Sequence, residues 1–347
     1  MAPFRVVVVD DSALFRAMLR NLLTDIPNCE IVASVADGTT AIEKITELRP
    51  DLVTLDVEMP SISGIGVLRE LKRRCVSTKV VMISRFTSAG AQVTTDALIE
   101  GAFDFILKPS GSNLLENKAF LRAALEERIS VLRENTYTDA SASTDQVTTT
   151  PKPAVGLKAV VIGCSTGGPD ALARIIPELS ADFPVPVFVV QHMPAGFTAS
   201  LAARLNQASE LEVLEATDGM RASPGRVILA RGDRHLGLQH HARDGVIAKL
   251  SDAPHEHRCR PAVDYTLRSA VELFDAQLLA VILTGMGCDG TAGCELVHQR
   301  GGCVLAQHEL GCAVYGMPRS VIRSGVADQI VELPQIANVI QRQLARR

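Results

Sequence analysis

Six residues, Gly163-Cys164-Ser165-Thr166-Gly167-Gly168, follow the apolar run Ala159–Ile162 and precede a helix-like segment that opens at Pro169. Strand, tight glycine turn and helix lift the middle residue out of the backbone, which exposes a serine hydroxyl at a strand end. A nucleophilic serine needs a base, and the base needs an acid to orient it. His192 follows the next apolar run, in Gln191-His192-Met193-Pro194, and Asp289 lies just beyond the run Leu278–Leu283, in Thr284-Gly285-Met286-Gly287-Cys288-Asp289-Gly290. Parallel strands bring such ends to one edge of a sheet, so Ser165, His192 and Asp289 read as a triad for acyl transfer. Their order, serine, histidine, acid, is not that of the α/β-hydrolases, and the G-x-S-x-G match does not imply that family. Alone, His192 also fits a structural histidine, Asp289 an Asp-Gly turn, and the glycine loop a phosphate cradle at a helix N-terminus. The backbone N–H of Thr166, next after the nucleophile, is the positional choice for an oxyanion donor. Cys164 is a rival nucleophile only if its side chain faces the same way as Ser165, and a strand-to-helix elbow turns the two apart.

The N-terminal half carries a different set. Asp10 and Asp11 end one apolar run and Asp56 ends another; Ser84 ends a third, and Lys108-Pro109 follows a fourth. Clustered carboxylates repel unless a hard cation joins them, which calls for Mg²⁺. A hydroxyl and an ammonium aimed at the same point would bind the oxygens of a phosphoryl group on Asp56.

These residues need sheets to place them. Phe4–Val9, Glu30–Ser34, Leu52–Asp56, Val80–Ser84 and Phe103–Leu107 read as strands, with helices from Ser12, Gly38, Gly64, Gly90 and Leu114. Strands alternating with helices predict a doubly wound parallel sheet over residues 1–133, an α/β domain of flavodoxin-like form. Residues 134–156 are rich in Ser, Thr, Asp and Pro, too polar to bury a core, and predict a flexible linker. Residues 157–347 form a second α/β domain, mostly parallel. Its strands are expected at Lys158–Ile162, Val185–Gln191, Arg226–Ala230, Val246–Leu250, Leu278–Leu283 and Cys303–Ala306, with helices from near Pro169, Phe197, Ala262, Thr291, Met317 and Pro334. His255-Glu256-His257 with Cys259 offers metal-ligand types but no four-ligand set at a sound spacing.

Composition sets the outer limits. At 47% hydrophobic and 21% charged over 347 residues, the chain can build two sizeable cores. Its formal charge of −4 argues against nucleic-acid binding driven by bulk charge. No apolar run reaches the roughly 18–20 residues of a spanning helix, and Met1-Ala2-Pro3-Phe4-Arg5 has no signal-peptide form. The eight cysteines lack C-x-x-C pairs and are expected to remain reduced, in a cytoplasmic protein without membrane insertion.

Over about residues 4–132 the chain resembles the response-regulator receiver family, through Val9-Asp10-Asp11-Ser12, Asp56 with Glu58-Met59-Pro60 and Gly64, Ser84, and Lys108-Pro109. The resemblance implies that Asp56 takes a phosphoryl group from a histidine kinase. It also implies Mg²⁺ held by Asp11, Asp56 and the Glu58 carbonyl, with Asp10 behind them. Ser63 stands where many receivers have Asp, and Phe105 fills the switch-aromatic position without a hydroxyl.

Taken with this first half, Gly163–Pro169, Gln191-His192-Met193, Arg260-Pro261-Ala262-Val263-Asp264, Leu283–Gly290 and Gly316-Met317-Pro318 resemble the chemotaxis protein-glutamate methylesterases, the CheB family. That resemblance implies hydrolysis of glutamate methyl esters on chemoreceptor cytoplasmic helices, with methanol released, and deamidation of receptor glutamines. It adds Met286 as a second oxyanion donor, no cofactor in the catalytic domain, and an unphosphorylated receiver that covers the esterase cleft. A receiver joined to a non-catalytic output module and an esterase for small soluble substrates are the competing expectations. Full activity after Ser165→Ala would favour the former, and rapid turnover of soluble esters without receptor the latter.

Overall fold

The computed structural model describes residues 2–138 and 156–345, which fall in two compact units. The first runs β1 (Phe4–Val9), α1 (Ala13–Thr24), β2 (Cys29–Val35), α2 (Gly38–Leu48), β3 (Leu52–Asp56), α3 (Gly64–Arg73), β4 (Lys79–Ser84), α4 (Ser88–Ile99), β5 (Asp104–Leu107) and α5 (Leu114–Thr138). Every strand pairing is parallel, in the order β2-β1-β3-β4-β5. The Val6–Val9 run is wholly buried, as strands covered on both faces require. Helices α1, α2 and α4 start where the Ser12, Asp37 and Thr87 side chains accept a backbone N–H of the first turn. The chain leaves β1 for β2 on one side and returns past it to β3. A crevice therefore opens between the carboxyl ends of β1 and β3, where Asp10 and Asp56 stand.

Helix α5 continues through residues 134–138, which composition assigned to the linker. Leu121, Leu125, Ile129 and Leu132 bury one face of it, and no Gly or Pro interrupts it. Polar composition forbids a core, not a helical turn that propagates from a buried one. The remainder of the expected linker, 139–155, lies outside the described residues.

The second unit runs β6 (Ala159–Cys164), α6 (Gly168–Ile175), β7 (Val187–Gln191), α7 (Phe197–Ala208), β8 (Glu212–Glu215), β9 (Arg226–Leu229), β10 (His235–His241), β11 (Gly245–Ser251), α8 (Val263–Phe274), β12 (Leu278–Ile282), α9 (Thr291–Gln299), β13 (Cys303–Gln307), α10 (Met317–Arg323), β14 (Gln329–Val331) and α11 (Ile336–Ala345). Seven strands form one parallel sheet in the order β14-β13-β12-β6-β7-β9-β8. The predicted strand at Val246–Leu250 exists as β11, but it pairs antiparallel with β10 in a separate ribbon. The Ala242–Asp244 connection is too short for the crossover a parallel partner needs. Leu236, Leu238 and Ala248 of this ribbon pack into the core with Leu267 and Ala270 of α8.

From β6 the chain first builds the β7, β9 and β8 side, then crosses back to β12, β13 and β14. The order thus reverses between β6 and β12. In register, Cys164 lies beside Gln191, and Gly163 beside Ile282. The ladder continues past the strand ends: His192 N donates to Cys164 O at 3.1 Å and Ser165 N to Thr284 O at 3.0 Å. Ser165, His192 and Thr284 therefore leave three adjacent strands at one level.

Candidate active site

The loop after β6 turns at Gly167, whose φ of 79° is left-handed. A Cβ there would also run into the Ala313 and Thr284 side chains, so only glycine fits. Gly285 is constrained differently, because a Cβ would meet the Ser165 Cβ at 2.8 Å and the Met317 sulfur. That close approach sets Met286 beside the serine loop. Two glutamines that end apolar strands brace the arrangement. Gln191 Nε2 donates to Ser165 O at 2.9 Å, and Gln307 Oε1 accepts Thr284 N at 2.8 Å. The Thr284 hydroxyl donates to Thr166 O at 2.9 Å, tying the loops after β6 and β12 together.

His192 and Asp289 meet directly, with Nε2 2.8 Å from Oδ2. An ionised carboxylate only accepts, so Nε2 carries the proton that faces Asp289, and Nδ1 is the ring's other nitrogen. Among the described residues the Ser165 hydroxyl makes no hydrogen bond to the ring; unliganded catalytic contacts are often long. Asp289 also accepts the backbone N–H of Val263 at 2.6 Å and of Asp264 at 2.9 Å, the first two residues of α8. The N-cap of helix α8, Ala262, has no side-chain acceptor to offer, and Asp289 supplies the cap from another element. In return, Asp264 Oδ1 accepts Gly293 N in the first turn of α9 at 2.7 Å.

These contacts set the charges. Burial works to raise Asp289, but hydrogen bonds from His192 and the α8 N–H groups win and hold its carboxyl below the usual range. Burial works to lower His192, but its bond to Asp289 and its contact with the Cys259 sulfur push the ring up to about 9.

Other sequence candidates separate clearly. Cys164 is fully buried, with Sγ facing Gln191 Oε1 at 3.1 Å, and burial pushes its thiol far up, so it is no rival nucleophile. Arg260 donates to the carbonyls of Asp252 and Ala253 at 3.0 and 3.2 Å, clamping the segment before α8. The sequence reading missed the two bracing glutamines and the exchange of caps between Asp289 and Asp264. The glutamines carry a signal, a polar residue closing the runs Val187–Gln191 and Cys303–Gln307. The caps carry none, because they join residues 25 positions apart.

In the first unit, ligand oxygens of Asp10, Asp11 and Asp56 lie within 4.8 Å of one another. Lys108 Nζ donates to Asp10 Oδ2 at 2.7 Å and to Asp56 Oδ2 at 2.8 Å. Burial drives the Asp56 carboxyl up to about 6; Lys108 opposes the rise and the Asp10 charge adds to it. An all-oxygen set with surplus negative charge fits a hard divalent cation. The Glu58 carboxylate turns away towards Arg85 at 3.7 Å, which leaves only its backbone for the pocket. The Ser84 hydroxyl accepts from Thr94 Oγ1 at 2.7 Å and faces the carbonyls of Arg85 and Gly90 at 3.3 and 3.5 Å. Phe105 is buried.

A receiver fold with its acidic crevice, joined to a parallel α/β unit whose switch point presents a serine elbow and an acid-bound imidazole, defines a response-regulator hydrolase. Residues 6–120 match the response regulator receiver domain model, and residues 160–340 match that of the CheB methylesterase. The protein-glutamate methylesterase/protein-glutamine glutaminase of Thermotoga maritima is 45% identical over 328 residues, 94% of each chain. That of Bacillus subtilis is 39% identical over 346 residues, 96% of each. The crystal structure of the Thermotoga maritima CheB methylesterase catalytic domain is 48% identical, with a TM-score of 0.52, covering 55% of this chain and 99% of its own. The chain belongs to the CheB methylesterase family. It is a carboxylic ester hydrolase that carries a receiver domain.

Proposed function

We infer that the chain hydrolyses glutamate methyl esters on chemoreceptor cytoplasmic helices, releasing methanol, and deamidates receptor glutamines by the same acyl chemistry. Phosphorylation at Asp56 controls the rate. The observation that carries this reading is the His192–Asp289 pair, one strand away from Ser165 at the sheet edge. Ser165 attacks the ester carbonyl while His192 takes its proton at Nδ1. Asp289 holds the tautomer and balances the imidazolium. The N–H groups of Thr166 and Met286 hold the oxyanion; removing one such donor typically costs roughly 10²–10³ in rate. His192 then protonates the departing methoxide, or the amine of a glutamine. Water repeats the attack through the same base, which frees the glutamate carboxylate and restores Ser165.

In the receiver, Asp56 accepts the phosphoryl group from the histidine kinase of the same pathway, and Lys108 meets its oxygens. Ser84 joins only after leaving Thr94. Mg²⁺ would be held by Asp11, Asp56 and the Glu58 carbonyl with Asp10 behind, and when bound it supplies neutralising charge for the phosphoryl oxygens. No described helix is long and apolar enough to cross a membrane; the cytoplasm is the location this substrate requires.

The test is methanol release from methyl-labelled chemoreceptor membranes, with and without a small phosphodonor and Mg²⁺. Donor-stimulated release that disappears in Ser165→Ala is the expected result. Undiminished release from Ser165→Ala would remove the serine mechanism, and fast turnover of soluble esters with none from receptors would move the substrate to small molecules.

A further inference from the structure

A second imidazole stands on the far side of the triad acid. His257 Nε2 is 2.8 Å from Asp264 Oδ2 and 3.8 Å from Asp289 Oδ1. It sits in a tight turn closed by two backbone bonds, Glu256 N to Cys259 O at 3.1 Å and Cys259 N to Glu256 O at 2.7 Å. Both central residues of that turn, His257 and Arg258, have left-handed φ values of 50° and 62°. Such conformations are unfavourable for residues with a Cβ and persist where the surroundings enforce them. Here Arg268 grips Glu256, its Nη1 3.0 Å from Oε2, and holds the turn against α8. The strained backbone thus delivers one ring to one place, the gap between two buried carboxylates.

We propose that His257 is a positioning residue for the hydrolysis: its Nε2–H holds Asp264, with Asp289 Oδ1 3.8 Å away, and so keeps both lone-pair sets of Asp289 directed at His192 and α8. This rests on the reading of Ser165, His192 and Asp289 as the hydrolytic centre. Asp264 is 2% exposed and Asp289 1%, and like charges this close disfavour each other. The side chain of Asp264 accepts one backbone N–H, from Gly293, and one side-chain N–H, from His257. Burial already pushes the Asp264 carboxyl upward, and the Asp289 charge adds to this. Without His257, only the Gly293 N–H opposes the upward push of burial and of Asp289 on Asp264, which favours its protonated form and makes it a donor. Asp289, whose carboxylate lies within 4.8 Å, is then an acceptor beside it. That new bond draws charge from Asp289, weakens its hold on the His192 imidazolium and lowers the affinity of His192 for its proton.

The charged and titratable groups around the ring fit this role. Cys288 Sγ lies 3.8 Å from Nδ1, on the loop before α9. Cys259, Arg258 and the Glu256–Arg268 pair belong to the turn and its anchor. Cys294 of α9 is buried beside both acids, which push its thiol up after burial has done most of the work. His192 occupies the opposite side of Asp289. Among these, His257 is the side chain that hydrogen-bonds Asp264.

The test compares full-length wild type with His257→Ala and His257→Gln on methyl-labelled chemoreceptor membranes, with circular dichroism to confirm folding. The glutamine Nε2 has about the same reach as the histidine Nε2 and can donate to Asp264 without carrying charge. Alanine should lower kcat about tenfold with KM unchanged, the size expected from losing one hydrogen bond to a charged group. It should also move the acid limb of the kcat profile to lower pH, and glutamine should restore most of both. A folded alanine variant with unchanged kcat, a loss confined to KM, a limb that stays or moves upward, or a glutamine as impaired as alanine overturns the proposal. Wild type inactive on every receptor would instead overturn the functional reading beneath it.

Discussion

Asp56 and Asp289 are the same residue type in corresponding places, each at the carboxyl edge of a parallel sheet beside the point where strand order reverses. Burial pushes both carboxyls upward, yet Asp56 rises to about 6 and Asp289 falls below its ordinary value. The difference lies in the donors. Asp289 receives one imidazole and two helix N–H groups. Asp56 takes one backbone N–H, from Glu58, and shares a single ammonium with Asp10, whose charge opposes its own. Asp289 has its donors within the fold, whereas Asp56 is left short of positive charge. A site of the second kind is conditional, because cation and phosphoryl group must finish it.

Removing the charge of Asp289 tests this contrast most severely. Asp289→Asn should lower kcat about 10³–10⁴-fold in methanol release with KM little changed, because an amide cannot hold the same tautomer; a loss below tenfold would put the two acids on an equal footing. Asp56→Asn, or chelation of divalent cations with EDTA, should abolish stimulation by phosphodonor and leave the basal rate in place. Should chelation also stop basal release, the catalytic unit would not be complete on its own. The smallest effect is in the pH response. His192 must be neutral to act as base, so kcat/KM should climb with pH and level off near 9. Stability runs the other way: a histidine raised above its unfolded value of about 6.5 stabilises fully below that pH and loses the contribution as pH rises towards 9. Asp289, held low, contributes above about 3.8 and loses it as pH falls. Melting temperatures at pH 6 and pH 9, for wild type and Asp289→Asn, would separate the two contributions.

Much of this was legible in the chain. The apolar runs named the central strands of both sheets, since strands buried on both faces must be apolar throughout. The chemistry-bearing residues at the ends of those runs were legible for the same reason. Short strands were not: β8 has glutamates at both ends, β10 finishes on Gln239-His240-His241, and β14 has three residues, so none shows a sustained period. Ser84 marks another limit. Its position at the end of β4 was readable, but the Thr94 hydroxyl that bonds it comes from a helix face that carries no signal for this role. His257 is the clearest case. Its neighbours suggested a poor metal motif, while its partners are an acid seven residues on and another beyond the next strand.

The exchange of caps between Asp289 and Asp264 ties chemistry to assembly. Asp289, in the loop just before α9, accepts the first N–H groups of α8, and Asp264 of α8 accepts an N–H in the first turn of α9, so the two helix starts are tied to each other through these carboxylates. A change that loosens the start of either helix therefore reaches the Asp289 carboxylate directly.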